Sequence, residues 1–344
     1  MLASWTSKGI YMRVAFFSAQ THDREVFAEI FAASTSQLSF LSQPLDARSA
    51  RDAVGYQAIC AFVGDDLGAE TLRALKDAGL SLIALRSAGY DHVDRKVAHE
   101  LGLDVVHVPS YSPESVAEHA VALMLGIMRQ VHHAYAKCQR RDFRLEGLVG
   151  ETLHGKTVGV VGTGQIGQAF ARMLTGFGCN ILLHDLHPEP AFAQRLGASY
   201  VTLEEIFARA NVVALHLPLT PSTRHLVGAP LLSRMTPGSY LVNTARGGLV
   251  DTGALLAALA NGQLRGAALD VYEKEAGLFF CQHADGVCAD PLLEQLLDHP
   301  SVLLTGHMAF LTRQALGAIA VATLKSCEEF RLGMPLSYRV PSSA

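Results

Sequence analysis

The sequence predicts an α/β protein built from two doubly wound parallel sheets, and three observations predict it. The chain has 344 residues, which at about 150 residues per domain suggests about two domains. Short apolar runs of strand length alternate with amphipathic segments of helix length in two successive series, a pattern that implies parallel sheets. In the second series a glycine-rich turn, Gly162-Thr163-Gly164-Gln165-Ile166-Gly167, directly follows an apolar run and opens a helical pattern.

The first series begins with a strand over 13–18. Val26, Phe27, Ile30 and Phe31 then recur at helical spacing. Further strands are expected over 58–63, 82–85 and 105–108, with Leu72, Leu75 and Leu80 marking a helix between the first two. Ser112-Pro113 opens a long helix that runs through Val116, Ala120, Leu123 and Met124 toward Met128. Serine suits an N-cap, and proline suits the first turn, where its missing N–H is no loss. The second series has strands over 158–161, 181–183, 212–215, 240–242, 267–269 and 302–304. The last stretch carries one more helix and no such unit, so it is expected to pack back on the first series. The domain reading is therefore 12–111 with 311–344, and 112–310. Residues 1–11 form a leader without readable chemistry, with Met12 a second candidate start.

Composition narrows the function. Hydrophobic residues make up 49%, charged residues 17%, and the formal charge is −4. That balance argues against disorder and against nucleic-acid binding driven by bulk charge. No apolar run reaches the ~18–20 residues of a membrane helix, and the start lacks a signal-peptide pattern. No membrane role and a cytoplasmic location are expected. Six scattered cysteines then read as reduced thiols. Cys281, His283 and Cys288, with Asp290 nearby, lack the second CxxC of a structural zinc site, so they read as a loop and no metal is expected.

The glycine turn carries the sharpest chemistry. Strand, turn and helix start together aim backbone N–H groups and the positive helix end at a pyrophosphate. Gly162 permits the tight turn, Gly164 clears the phosphate's approach, and Gly167 lets helix and strand pack closely. Asp185 follows Gly167 by 18 residues, where a carboxylate accepts hydrogen bonds from both adenine-ribose hydroxyls and repels a 2′-phosphate. The expected cofactor is NAD rather than NADP. A competing pattern, 150–157, matches GxxxxGK[ST] letter by letter, but its lysine precedes a strand instead of opening a helix. It reads as a turn.

Three more residues stand just past strands of the second series: Arg246, Glu275 and His307. Ligands of doubly wound sheets sit at the carboxyl ends of strands, so spacings of 29 and 32 residues do not keep these side chains apart. Arginine holds a carboxylate bidentately and polarises a neighbouring carbonyl. Histidine exchanges the proton that accompanies hydride transfer. A carboxylate bonded to an imidazole fixes its orientation and favours its charged form. Taken singly, each is as readily a surface ion or a core histidine.

Together the blocks LRSAGYDHVD (85–94), YSPESVAEHAVALML (111–125), GTGQIG (162–167), LHLPLTPSTRHLV (215–227), VNTARGGLVD (242–251), LDVYEKEAGLFF (269–280) and TGHMAFLT (305–312) resemble the D-2-hydroxyacid dehydrogenase family. The resemblance implies a Rossmann NAD-binding domain and a flavodoxin-like substrate domain, with the active site in the cleft. It implies that Arg246 binds the substrate's carboxylate and carbonyl, that His307 is the acid/base and that Glu275 is its partner. It places Ala88 and Gly89 at the substrate carboxylate, and Tyr111 and Phe310 around the substrate. It places Gln165, Ile166, Asp185, Leu217, Pro218, Thr223, Thr244, Ala245, Arg246 and Asp270 at the cofactor, beside the three glycines. YSP at 111–113, the long loop over 276–291 and TGH before the catalytic position favour the branch that interconverts pyruvate and D-lactate. Glyoxylate, hydroxypyruvate and phenylpyruvate reductases are the nearer alternatives, and an NAD-sensing, corepressor-like binding protein the more distant one. Two departures stand out: Leu186 where a proline often follows the ribose aspartate, and Ala245 where serine is common. The resemblance also implies a homodimer or homotetramer.

Overall fold

The structure, a computed structural model, describes residues 11–283, 286 and 288–341. Of the leader, residues 1–10 lie outside the described residues, as does the end of the chain after Pro341. The chain divides into two compact units, one running up to Ser112 and resuming at Leu311, the other Pro113–Phe310.

The first unit opens with β1 (Met12–Phe16), α1 (Thr21–Phe31), β2 (Ser36–Phe40), β3 (Ala58–Ala61), α2 (Ala69–Asp77), β4 (Leu82–Leu85), α3 (Arg95–Glu100) and β5 (Asp104–Val106). The second contains α4 (Pro113–Met128), α5 (Val131–Gln139), β6 (Thr157–Val161), α6 (Gln165–Leu174), β7 (Asn180–His184), α7 (Pro190–Leu196), β8 (Ser199–Tyr200), α8 (Leu203–Arg209), β9 (Val212–Leu215), α9 (Ala229–Leu232), β10 (Ser239–Asn243), α10 (Thr252–Ala260), β11 (Leu264–Leu269), α11 (Pro291–Asp298) and β12 (Val302–Leu304). Finally α12 (Arg313–Leu332) completes the first unit.

The first sheet has the order β2-β1-β3-β4-β5 with every pair parallel. That is the flavodoxin-like order. Its central strands β3 and β4 are buried along their whole length, which is why they read as continuous apolar runs rather than alternating ones. Helix α12 packs on α1. The tail beyond it reaches the sheet edge, where Val340 N–H donates to Val105 O at 2.8 Å.

The second sheet has the order β12-β11-β10-β9-β6-β7-β8, again with every pair parallel. Counted within the unit this is 3-2-1-4-5-6-7, the dinucleotide-binding order with one strand added at the far edge. Six strands were expected here and seven are present; the sequence reading lacked β8. In the first unit it lacked β2. Both are edge strands. β8 is two residues long, and β2 carries serine and glutamine at three of five positions. Neither leaves an apolar run of strand length, unlike the edge strands β5 and β12.

Strand ends also differ from expectation. β1 stops at Phe16 and β3 at Ala61, short of 18 and 63, and β5 stops at Val106. Ser18 has already turned to φ 50°. Pro113 is the first helical residue, and Ser112 before it has φ 103°. The P-loop look-alike is a turn, with Lys156 leading into β6 and its ammonium paired with Glu151.

Candidate active site

The dinucleotide cradle is built by local packing. Gly162 has φ 95°, and a Cβ there would lie 2.4 Å from His216 O. A Cβ on Gly167 would lie 1.9 Å from Gly162 O, so α6 could not approach the turn with any larger residue. A Cβ on Gly164 would meet nothing within 4 Å. Two glycines are thus required by the protein's own backbone, and the third keeps an open approach. Gly164 is the N-cap of α6 and supplies no side-chain cap, which leaves first-turn N–H groups for an anion. Asp185 stands just past β7. Its Oδ2 accepts from Thr163 N–H at 2.6 Å and Thr163 Oγ1 at 3.1 Å, and its Oδ1 from His187 N–H at 2.9 Å. Burial would raise this carboxyl, but those bonds outweigh it and hold it below the ordinary range. Leu186 beside it is 83% exposed.

Other expected cofactor residues gather around this edge of the sheet. Leu217 packs beside Gly162. Thr223 Oγ1 donates to Pro218 O at 2.8 Å, closing the loop after β9. Ala245 N–H donates to Asn243 Oδ1 at 3.0 Å. The hydroxyl of Thr244 is buried and finds no partner among the described residues. These residues fit an NAD molecule: a pyrophosphate over Gly164 and Gln165-Ile166-Gly167, and a ribose at Asp185.

His216 was not singled out in the sequence. Both its ring nitrogens are buried without partners among the described residues, its ring lies 4.8 Å from that of Phe170, and burial pushes its pKa down to about 4. It holds the floor of the glycine turn as a neutral ring. Its position directly after β9 was the available signal.

The three titratable candidates leave adjacent strands. Arg246 follows β10, Glu275 follows β11 and His307 follows β12, and these strands are neighbours in the sheet. His307 Nδ1 lies 2.8 Å from Glu275 Oε1. Glu275 Oε2 accepts from Tyr272 N–H at 3.3 Å. The backbone of Arg246 is held by Asn243 Nδ2, which donates to its carbonyl at 2.9 Å.

His307 sits at φ 51°, a conformation that a non-glycine residue adopts only when its surroundings enforce it. Asp270 does the enforcing. Its carbonyl accepts His307 N–H at 2.6 Å. Its carboxylate accepts Thr305 Oγ1 at 2.6 Å, Met308 N–H at 2.9 Å and Ala309 N–H at 2.8 Å, with His119 Nε2 at 3.4 Å. Burial would raise this carboxyl, but the bonds from His119, Thr305, Met308 and Ala309 keep it lowered. The resemblance assigned Asp270 to the cofactor. Here its side chain is wholly buried and its oxygens are committed to the turn that carries His307.

In the first unit, Ala88 and Gly89 follow β4. Ser87 Oγ donates to Gly89 O at 2.7 Å, and His107 Nδ1 lies 2.8 Å from Ala88 O. Both carbonyls are therefore fixed in place. Cys281 Sγ is 3.8 Å from His283 Nε2, and among the described residues no group of three ligating side chains could hold a metal ion. Among the same residues no helix is long and apolar enough to cross a membrane.

A dinucleotide cradle and a histidine–carboxylate pair at the carboxyl ends of one parallel sheet fit an NAD-dependent oxidoreductase. The family model described as "D-isomer specific 2-hydroxyacid dehydrogenase, NAD binding domain" matches residues 121–309. "2-Hydroxyacid dehydrogenase homolog 1" of Schizosaccharomyces pombe is 44% identical over 320 residues, 93% of this chain and 96% of that protein. A D-lactate dehydrogenase of Escherichia coli is 41% identical over 322 residues, 94% of this chain and 98% of that one. The solved structure of the pyruvate reductase of Chlamydomonas reinhardtii superposes with a TM-score of 0.89 at 41% identity, covering 95% of this chain and 98% of that one. The chain belongs to the D-isomer specific 2-hydroxyacid dehydrogenase family. It is an NAD-dependent enzyme of 2-hydroxy acids.

Proposed function

We propose that the enzyme is a D-lactate dehydrogenase, which reduces pyruvate with NADH and a proton to D-lactate and NAD, reversibly. The observation that carries the reading is the 2.8 Å contact of His307 Nδ1 with Glu275, at the end of a strand two places from the one that delivers Arg246. The names of the Escherichia coli and Chlamydomonas relatives support lactate and pyruvate as the pair.

When bound, the nicotinamide supplies the hydride or takes it back. Arg246 holds the substrate carboxylate and draws electron density from the carbonyl through charge-assisted hydrogen bonds. Glu275 occupies Nδ1 of His307, so Nε2 is the ring nitrogen left for the substrate. Nε2–H of the protonated ring donates to the carbonyl oxygen as its negative charge develops. In the direction of oxidation, neutral His307 takes the hydroxyl proton at the same nitrogen. Ala88, Gly89, Tyr111 and Phe310 keep the substrate contacts that the resemblance assigns them, and the folded segment outside residues 113–310 is the substrate-binding domain of this reading.

A panel of pyruvate, glyoxylate, hydroxypyruvate and phenylpyruvate, each with NADH and NADPH, tests the proposal. The expected result is highest kcat/KM with pyruvate, D-lactate as the product, and NADH preferred by at least about tenfold, the scale of a like-charge clash at Asp185. A better substrate in the panel, or L-lactate as product, contradicts the lactate assignment. No NADH consumption with any of them favours the NAD-sensing alternative.

The enzyme is also proposed to be a homodimer or homotetramer. The run over 131–149 in the second unit leaves Val131, Tyr135, Phe143, Leu145 and Val149 56–81% exposed, an apolar surface that a second copy of the chain would cover. Sedimentation should give at least twice the chain mass, and charge placed at Leu145 and Val149 should reduce it. A wild-type protein sedimenting as a monomer would contradict this.

A further inference from the structure

Another histidine–carboxylate pair of the same unit, besides His307–Glu275 and His119–Asp270, takes no part in the proposed proton transfer. His225 Nε2 is 2.8 Å from Glu273 Oε2, with the His225 side chain 42% exposed and that of Glu273 11% exposed. Each residue belongs to a loop the site depends on. Glu273 stands two residues before Glu275. His225 stands two residues after Thr223 and is held at φ 51°.

The backbone around the pair reaches the loop of Arg246. His225 N–H donates to Gly248 O at 2.8 Å, and Val227 N–H donates to Leu249 O at 2.9 Å. A Cβ on Gly247 would fall 2.0 Å from the carbonyl carbon of Tyr272, so the segment after Arg246 lies directly on the segment before Glu275. Glu273 also accepts Thr252 N–H at 3.4 Å through its other oxygen. Three loops, over 223–227, 246–249 and 272–275, therefore meet at one hydrogen-bonded pair.

We propose that His225 and Glu273 are positioning residues. Their hydrogen bond fixes the loop of Arg246 against the loop of Glu275, and so fixes the guanidinium relative to the imidazole that Glu275 holds. This rests on reading Arg246 as the carboxylate holder and His307 as the proton donor. His225 is partly exposed while Glu273 is largely covered, so Tm is read beside the kinetics. The pair's effect falls on the placement of the guanidinium, and so on how firmly the substrate carboxylate is held.

The test uses His225→Ala, Glu273→Ala, Glu273→Gln and the double alanine variant of the full chain. It reads kcat and KM for pyruvate, Kd for NADH by fluorescence, and Tm. Each single alanine variant should lower kcat/KM about tenfold, most of it in KM, while the NADH Kd stays within about twofold. The double variant should be no worse than the singles, as for two halves of one interaction. Glu273→Gln keeps an acceptor for His225 and should stay within about threefold of wild type. The proposal is overturned by an unchanged pyruvate KM with activity lost in proportion to folded protein, which marks a structural role only. It is equally overturned by an NADH Kd that rises in step with KM, or by a glutamine variant as impaired as the alanine one. Wild-type turnover of pyruvate separates the two claims: its absence contradicts the functional reading itself, and with it the role given to Arg246.

Discussion

His307 has two ring nitrogens and one of them is committed. With Nδ1 at 2.8 Å from Glu275, the proposed function gives proton exchange to Nε2, and the turn held by Asp270 carries that ring. His216 shows the opposite use of the same side chain. Both its nitrogens are buried, neither is bonded among the described residues, and burial depresses its pKa to about 4. The unfolded chain therefore binds a proton that the folded protein refuses, from the ordinary imidazole range down to about 4. Stability is full above that range and falls as pH drops through it. His216→Asn should flatten this part of the stability–pH curve by about 1–3 kcal/mol, given about 1.4 kcal/mol per pKa unit. Denaturant midpoints across the window measure it, and identical slopes in both proteins would show that His216 does not titrate this way.

At the scale of elements, legibility followed how local the physics was. β6, the glycine turn and α6 could be read directly, because each step is set by neighbours in sequence: an apolar run, a residue without a Cβ, and an apolar face on the helix. Arg246, Glu275 and His307 could be read because each follows within a few residues an apolar run that forms a strand. Strands β2 and β8 could not, because β8 is only two residues long and β2 is polar at three of five positions, so neither leaves an apolar run. The commitment of Asp270 to the turn over 305–309 was equally hidden. It depends on donors 35 to 39 residues away that only the fold brings to it. The His225–Glu273 bond spans 48 residues and gave no pattern in the sequence for the same reason.

For the whole molecule, each unit is a parallel sheet, and in the second the candidate residues stand in loops at the carboxyl ends of the strands, where doubly wound sheets bind ligands. The second unit alone supplies the cofactor cradle, the guanidinium, the imidazole and the carboxylate that orients it. The central claim is that His307 delivers the proton while other groups hold the cofactor. The most direct measurement is steady-state turnover of NADH and pyruvate by His307→Gln, set beside its NADH affinity. Turnover should fall by about a thousandfold or more, the scale of losing a positioned general acid, with the NADH Kd within about twofold of wild type. A glutamine variant that still turns over within about tenfold of the wild-type rate would contradict the account.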